Sequence, residues 1–198
     1  MVQTTFSKRY SEVAIPALKE KFGYTNVYAI PALQCIVVNV GVGRLMIQQK
    51  GKKKVEEDID VIAGVVEGVS RICGQRPVVI RSRKSIASFK LRAGMVNGLK
   101  VTLRKKRMKD FFERFIHIAL PRTRDFRGIP RSSVDLHGNL TVGVKESTIF
   151  PELSDLNTVF GLEVTFVTTA ATRQEGVTLL EKLGIPFQKG DKPDGAAH

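Results

Sequence analysis

The stretch from residue 99 to residue 104 constrains the fold more than any other short segment of this chain. It reads LKVTLR, so apolar and polar side chains alternate without interruption. Successive side chains of a β-strand point to opposite faces, and this period of two predicts a half-buried strand. One face of the predicted sheet is therefore apolar and covered by helices. The other face carries Lys100, Thr102 and Arg104 and is able to meet a phosphate backbone.

The remaining hydrophobic patterns predict further strands and helices around this segment. Runs of β-branched and apolar residues predict four more strands. Apolar residues at helical spacing predict amphipathic helices, the last of which opens with a Thr172–Glu175 capping box. Predicted strands cover residues 36–40, 78–80, 140–144 and 162–166, and predicted helices cover residues 6–22, 55–72, 108–119 and 172–183. The fold class that follows is α+β, a single domain with a mostly antiparallel sheet and helices packed on one face.

The domain is expected to extend over residues 1–188 as one RNA-binding domain. Residues 189–198 are polar and contain Gly and Pro, which indicates a flexible C-terminal tail. Within the first helix Pro16 removes a backbone donor, so it should kink the helix or divide it. Tyr10, Val13, Ala17 and Leu18 are predicted to share the buried face of that helix.

Charge is concentrated in the middle of the chain. The 198 residues include 32 Lys and Arg against 19 Asp and Glu, a formal net charge of +13. Residues 76–131 alone contain 17 Lys and Arg and three acidic residues. Solvated basic residues can serve solubility alone, but solubility does not require acidic residues to be nearly excluded from such a long segment. The pattern predicts a surface that binds nucleic acid.

The sequence offers little for catalysis, cofactors or metal ions. His117, His137 and His198 are isolated and no Cys-x-x-Cys occurs, so no zinc site is expected. The Gly-x-Gly at residues 41–43 lacks the third glycine of a dinucleotide loop and is interpreted as the turn that ends a strand. No cofactor and no enzymatic activity are predicted.

The carboxylates of the basic segment do not form a convincing nuclease site. Asp110 and Glu113 lie one helical turn apart, and pairing with Lys106, Lys109 or Arg114 explains them without catalysis. Phe111, Phe112 and Phe115 have helical spacing, which predicts core packing rather than base stacking.

The expected environment is a reducing cytoplasm. Cys35 and Cys73 lie in apolar surroundings and are predicted to be buried free thiols. No apolar run is long enough for a membrane span, and the first residues do not resemble a secretory signal or a transit peptide. No membrane partner is expected.

Eight short strings, taken in order, resemble the bacterial-type large-subunit ribosomal protein five family, the universal 5S rRNA-binding ribosomal protein. The likeness runs from the first helix to residue 187. The strings are IVVNVGVG (36–43), GQRP (74–77), RKSIASFKLRAG (83–94), KVTLR (100–104), PRTRDFRG (121–128), GNL (138–140), GVKE (143–146) and IFPE (149–152).

This resemblance implies a structural protein of the large ribosomal subunit, located in the cytoplasmic ribosome. It implies binding to 5S rRNA and attachment of that RNA in the central protuberance, beside large-subunit rRNA and neighbouring ribosomal proteins. It also implies contact with P-site tRNA and a bridge to a small-subunit head protein. The alternatives left open are a ribosome-assembly factor and a non-specific RNA-binding protein.

The resemblance also assigns residues. Asn39, Gln75 and Thr102 match RNA-facing positions, and short polar groups of this kind fix register on sugars and phosphates. The full set expected to bind rRNA is Asn39, Gly41, Gln75, Arg81, Arg83, Lys84 and Thr102. Lys90 and Arg92 match the loop that contacts tRNA. For Asn39 the competing interpretation is a side chain that caps its own turn.

Three departures from the family pattern are informative. Residues 95–97 read MVN where Tyr-Pro-Ile is usual, and Ser88 stands where a glycine is usual. The stretch from residue 44 to residue 58 is longer than in typical members and carries the basic run 50–54. We expect that run to be an additional RNA anchor.

Overall fold

The computed structural model describes residues 5–43, 62–88, 91–156 and 158–188. Within these ranges, five α-helices and five strands are defined. The helices are α1 (Phe6–Arg9), α2 (Ile15–Phe22), α3 (Ala63–Cys73), α4 (Lys105–Arg114) and α5 (Arg173–Leu183). The strands are β1 (Leu33–Gly41), β2 (Val78–Arg81), β3 (Val96–Leu103), β4 (Leu140–Val144) and β5 (Leu162–Thr168). None of the described helices is long and apolar enough to span a membrane.

The strands form one five-stranded sheet in the order β2-β3-β1-β5-β4. β2 and β3 pair antiparallel, with Val78 opposite Lys100 and Ile80 opposite Gly98. The α+β class with an antiparallel sheet, predicted from the sequence, is confirmed. β2 lies at one edge of the sheet, so two of its apolar side chains are exposed, Val78 at 68% and Ile80 at 38%.

The chain divides into two compact units. The first consists of Met1–Ile36, Arg104–Val142 and Thr165–His198, and the second of Val37–Leu103 and Gly143–Val164. The expectation of one RNA-binding domain over residues 1–188 stays a prediction, and the tail at 189–198 lies outside the described residues.

The second unit confirms the alternation from which the sequence analysis began. Leu99, Val101 and Leu103 are almost completely buried, whereas Lys100 is exposed and Thr102 half-buried. Helix α3 packs against β3 and buries Val65, Val69 and Ile72. It ends at Gly74, whose left-handed conformation (φ +62) caps the helix as expected. The predicted start of this helix, residues 55–61, lies outside the described residues.

The first unit has an aromatic core. Phe112 and Phe115 of α4 and the following turn contact Phe166 of β5, with ring centroids 5.7 and 5.6 Å apart. Phe6 of α1 meets Phe112 edge to face at 5.0 Å. The three phenylalanines of residues 111–115 are buried, so the prediction of core packing rather than base stacking is confirmed.

Pro16 is accommodated by a change of helix type. A π-helical segment, Tyr10–Ala14, joins α1 to α2, and the proline occupies the first turn of α2. The wider turn shifts which side chains face inward: Ala14 is buried, and Val13 is 43% exposed. The predicted burial of Val13 is therefore wrong, because the prediction assumed an uninterrupted period of 3.6 residues.

Glu113 has a structural role rather than the expected helix-surface ion pair. Its Oε1 accepts a hydrogen bond of 2.6 Å from the backbone N–H of Phe6. That N–H belongs to the first turn of α1, where no intrahelical acceptor exists. Glu113 therefore joins α4 to the start of the first helix.

Candidate nucleic-acid interface

The outward face of β1 and β3 presents polar groups in the second unit. Asn39 is exposed on β1 between the buried Val38 and Val40. Lys100 and Thr102 project from the corresponding face of β3, since both alternate with the buried Leu99, Val101 and Leu103. A cation and two short hydrogen-bonding side chains on a strand surface can contact phosphates and sugars.

Beside these residues lies an open concavity of about 690 Å³. Its floor is unusual because most of its residues have no side chain. The lining residues are Asn39, Gly41, Gly43, Ile80, Asn97, Gly98 and Gly161. Glycines leave the backbone accessible, so a ligand can approach the sheet closely here.

A β-bulge positions Asn97 at this concavity. The β2–β3 register passes from Ile80–Gly98 to Arg81–Val96, which leaves Asn97 as the additional residue. Such a bulge re-aims a side chain, and here Asn97 is exposed between the buried Val96 and Gly98. The Asn97 carbonyl accepts the N–H of Val42 at 3.1 Å, which fixes β3 to the end of β1.

The two amide side chains lie above glycines of the neighbouring segment. A Cβ placed on Gly43 would be 3.1 Å from Asn97 Oδ1, and one placed on Gly98 would be 3.9 Å from Asn39 Oδ1. The same Cβ on Gly98 would lie 3.1 Å from the Val40 carbonyl, so β1 and β3 approach each other closely there. Neither amide has a hydrogen-bond partner among the residues that the structure describes. Within that part of the chain, Asn39 does not cap its own turn.

The loop between β2 and β3 is a short hairpin that carries most of the remaining predicted cations. Ile86 and Leu91 exchange two backbone hydrogen bonds of 2.9 and 3.1 Å, and Ser82 bonds to Met95 and Gly94 at its base. Arg81 Nη1 donates to the Gly94 carbonyl at 3.0 Å. Arg83, Lys84 and Arg92 are exposed, and Lys90 lies outside the described residues. Arg83 follows the end of β2, so it lies on the hairpin and not on the strand.

Gln75 occupies a separate position. It is half-buried in the turn between α3 and β2, directly after the capping Gly74. Gln75 does not line the concavity, so the structure brings Asn39 and Gly41 together without it. The basic run 50–54 lies outside the described residues.

The described residues offer no group of three or more His, Cys, Asp or Glu side chains able to hold a metal ion. The outward strand face carries one ammonium, one hydroxyl and two amides, which are groups suited to holding RNA. Both cysteines, Cys35 and Cys73, are buried free thiols as predicted.

Sequence reasoning missed Gly43, Ile80, Asn97, Gly98 and Gly161 as members of this site. The predicted strand begins at residue 99, whereas β3 begins at Val96 and includes Asn97 and Gly98. A signal was available, because a glycine next to a strand pattern indicates a bulge or a close backbone approach. What the sequence did not indicate is that these glycines would meet at one place.

Comparisons with known proteins identify chains that are similar to this one. A family model described as "Ribosomal protein L5" matches residues 26–92, and a second model, for the C-terminus of the same ribosomal protein family, matches residues 96–187. The chain is 45% identical to the large ribosomal subunit protein uL5 of Clostridium botulinum (strain Eklund 17B / Type B) over 186 residues, which cover 93% of this chain and 98% of that protein. It is 46% identical to uL5 of Maridesulfovibrio salexigens over 188 residues, 94% and 99% of the two chains. Identity to uL5 of Streptococcus pyogenes serotype M49 is 44% over 184 residues, 92% and 97% of the two chains.

Proposed function

Because this chain belongs to the ribosomal protein L5 family, we propose that it is a structural component of the large ribosomal subunit that binds 5S rRNA through the outward face of β1 and β3. It works without catalysis and without a cofactor. Its place is the ribosome of the cytoplasm, with large-subunit rRNA and neighbouring ribosomal proteins as partners.

The observation that carries the proposal is the contrast between the two faces of β3. One face is buried against α3, and the other presents Lys100 and Thr102 near the amide of Asn39, which has no hydrogen-bond partner among the described residues. Lysine and arginine neutralise phosphates and release counterions, which provides affinity. Asn39 and Thr102 have no charge, so their contribution is to fix the register on the RNA backbone.

The binding test compares 5S rRNA with a scrambled RNA of equal length at near-physiological salt. We expect the protein to prefer 5S rRNA by about a hundredfold or more, within the usual range of specific over non-specific binding. The double variant Asn39→Ala/Thr102→Ala should lose most of this preference. Equal binding of both RNAs by the unaltered protein would favour a non-specific RNA-binding protein or an assembly factor.

A matched control keeps this test specific to the proposed face. Gln34 is exposed on the same strand as Asn39, and Thr148 is exposed on a 3-10 turn of the second unit. The variant Gln34→Ala/Thr148→Ala removes the same chemical groups, one carboxamide and one hydroxyl, from other places. It should bind 5S rRNA as the unaltered protein does.

The finer ribosomal contacts belong to the same proposal. Arg92 is the described cation of the tRNA-contacting part of the β2–β3 hairpin, and its exposed guanidinium is suited to the phosphates of P-site tRNA. The family resemblance supports attachment of 5S rRNA in the central protuberance and a bridge to a small-subunit head protein. Cryo-electron microscopy of ribosomes that contain this chain is the direct measurement of all three contacts.

A further inference from the structure

We propose that the glycine-floored concavity at the end of β1 and β3 takes one unpaired ribonucleotide of the bound RNA, whose base edge is hydrogen-bonded by Asn39 and Asn97. The inference rests on the proposed function, and it adds the chemical class of the group that enters this site. It also assigns a role to Asn97, which the family pattern does not provide.

The size and the floor of the concavity favour a single nucleotide. Its volume of about 690 Å³ lies within the range of roughly 300–1,000 Å³ that is usual for small-ligand sites. Gly41, Gly43, Gly98 and Gly161 contribute no side chains to the lining. The space in front of Gly41 is open, so a flat base can lie directly against the end of β1 there. Ile80, which is 38% exposed at the edge of the sheet, provides an apolar wall.

The polar groups favour the edge of a base over a phosphate. Phosphates are recognised by cations and by backbone N–H groups, whereas an amide offers a donor group and an acceptor group side by side. The two amides project over Gly43 and Gly98 from opposite strands and have no hydrogen-bond partner among the described residues. The edge of an unpaired base offers donors and acceptors that such amides can bind.

The base must be unpaired for geometric reasons. The major groove of an A-form helix is too deep and narrow for side chains to read, so proteins recognise RNA sequence mainly at unstacked bases of loops and bulges. A strand face with a local concavity can receive such a base while Lys100, two residues along β3 from Gly98, contacts the adjoining phosphate.

Two glycines of the second unit provide a matched pair for the test. A Cβ at Gly41 and a Cβ at Gly143 each meet no heavy atom within 4 Å, and neither glycine has a positive φ. Gly41→Val and Gly143→Val should therefore both fold, which thermal unfolding checks. Only Gly41 lines the concavity.

The experiment measures affinity for 5S rRNA and the 2′-hydroxyl acylation of each nucleotide, free and bound. We expect the unaltered protein and Gly143→Val to protect one single-stranded nucleotide and to bind alike. Gly41→Val should bind about tenfold or more weakly, restore reactivity at that nucleotide, and keep the same salt dependence because no charge is lost.

Asn97→Ile gives a second measurement with the concavity left open. Substitution of the protected base should weaken binding by the unaltered protein by about tenfold, the usual effect of one lost bidentate contact. The same base substitution should have little effect on Asn97→Ile. A protein that prefers 5S rRNA, but whose Gly41→Val variant binds like Gly143→Val, overturns this inference and leaves the proposed function intact. Protection of paired nucleotides alone also overturns it, whereas failure of the unaltered protein to prefer 5S rRNA overturns the proposed function.

Discussion

At the scale of single residues, the backbones of two glycines approach each other so closely that neither position has room for a side chain. Gly176 of α5 faces the backbone of Gly138, and a Cβ on Gly176 would overlap the Gly138 carbonyl oxygen and carbonyl carbon at 2.5 and 2.8 Å. Gly138 has a φ of +75 in the turn before β4, so it also favours glycine. The pair lets α5 lie directly on this turn.

This contact predicts that Gly176→Ala destabilises the protein. In an open helix the same substitution normally stabilises by about 1 kcal/mol. Here the added methyl meets backbone that cannot rotate away, and overpacking of this kind costs roughly 1–3 kcal/mol or more. Urea unfolding should show a loss of about 2 kcal/mol or more, while Gln174→Ala, on an exposed position of the same helix, should change little. A Gly176→Ala variant as stable as the original would show that α5 can move away at no cost.

At the scale of secondary structure elements, two prolines that lie inside a continuing helical segment are each preceded by a π-helical segment. Tyr10–Ala14 precedes Pro16, and Phe115–Ala119 precedes Pro121. A proline cannot donate to the carbonyl four residues earlier, and its ring crowds that carbonyl. One wider turn relieves the conflict and lets the helix continue, so Pro16 neither stops nor divides it.

These segments illustrate what sequence patterns predict well and what they predict poorly. The strand at residues 99–103 and the Thr172–Glu175 capping box depend on local rules, and both are present in the structure. The exposed Val13 and the bulge at Asn97 depend on how neighbouring segments constrain each other. Asn39 was identified through the family resemblance, whereas Asn97 departs from the family pattern and only the strand pairing brings it to the same place.

The start of α5 supports a prediction about pH. Glu175 accepts hydrogen bonds from the N–H groups of Ala171 and Thr172 at 2.9 and 3.3 Å. Burial raises the pKa of the Tyr24 hydroxyl to about 12, assisted by its hydrogen bond to the negatively charged Glu175. A tyrosine whose folded-state pKa is raised contributes stability below its unfolded pKa near 10, and this contribution is lost as the pH rises through 12.

Tyr24→Phe isolates this effect. Between pH 10 and pH 12, the stability of the original protein should fall more steeply than that of the variant, measured by urea unfolding at each pH. The difference between their ultraviolet phenolate titrations should have a midpoint near pH 12. A midpoint near the ordinary value of about 10 would mean that Tyr24 does not contact Glu175 in solution.

At the scale of the whole molecule, the basic segment 76–131 is divided between the two units. Exposed cations of the second unit include Arg83, Lys84 and Lys100, and those of the first include Lys105, Arg122 and Arg124. Net charge alone therefore does not indicate which residues contact RNA. The dependence of RNA affinity on salt concentration distinguishes the cations that contact RNA from the others, because its slope is proportional to the number of phosphates that the protein neutralises.

Neutralising the cations of the second unit should reduce that dependence. With about six phosphate contacts, the slope of log affinity against log salt is on the order of −4 to −5. The variant Arg83→Gln/Lys84→Gln/Lys100→Gln should lower its magnitude by about 2 to 3. Lys8→Gln/Lys19→Gln/Lys182→Gln removes the same charge outside the basic segment and should leave the slope unchanged. Equal effects of the two variants would mean that binding follows net charge and not this surface.

The order of the segments along the chain has a consequence for synthesis. The first unit is assembled from three separate stretches, the last of which begins at Thr165, and the second unit needs residues up to Val164. A chain that emerges from its N-terminus onward therefore completes neither unit until more than four-fifths of it has been translated. Until then, its apolar strands lack the segments that bury them, which leaves the incomplete chain open to aggregation. The order of its segments thus delays the folding of both units of this ribosomal protein to the last part of its own translation.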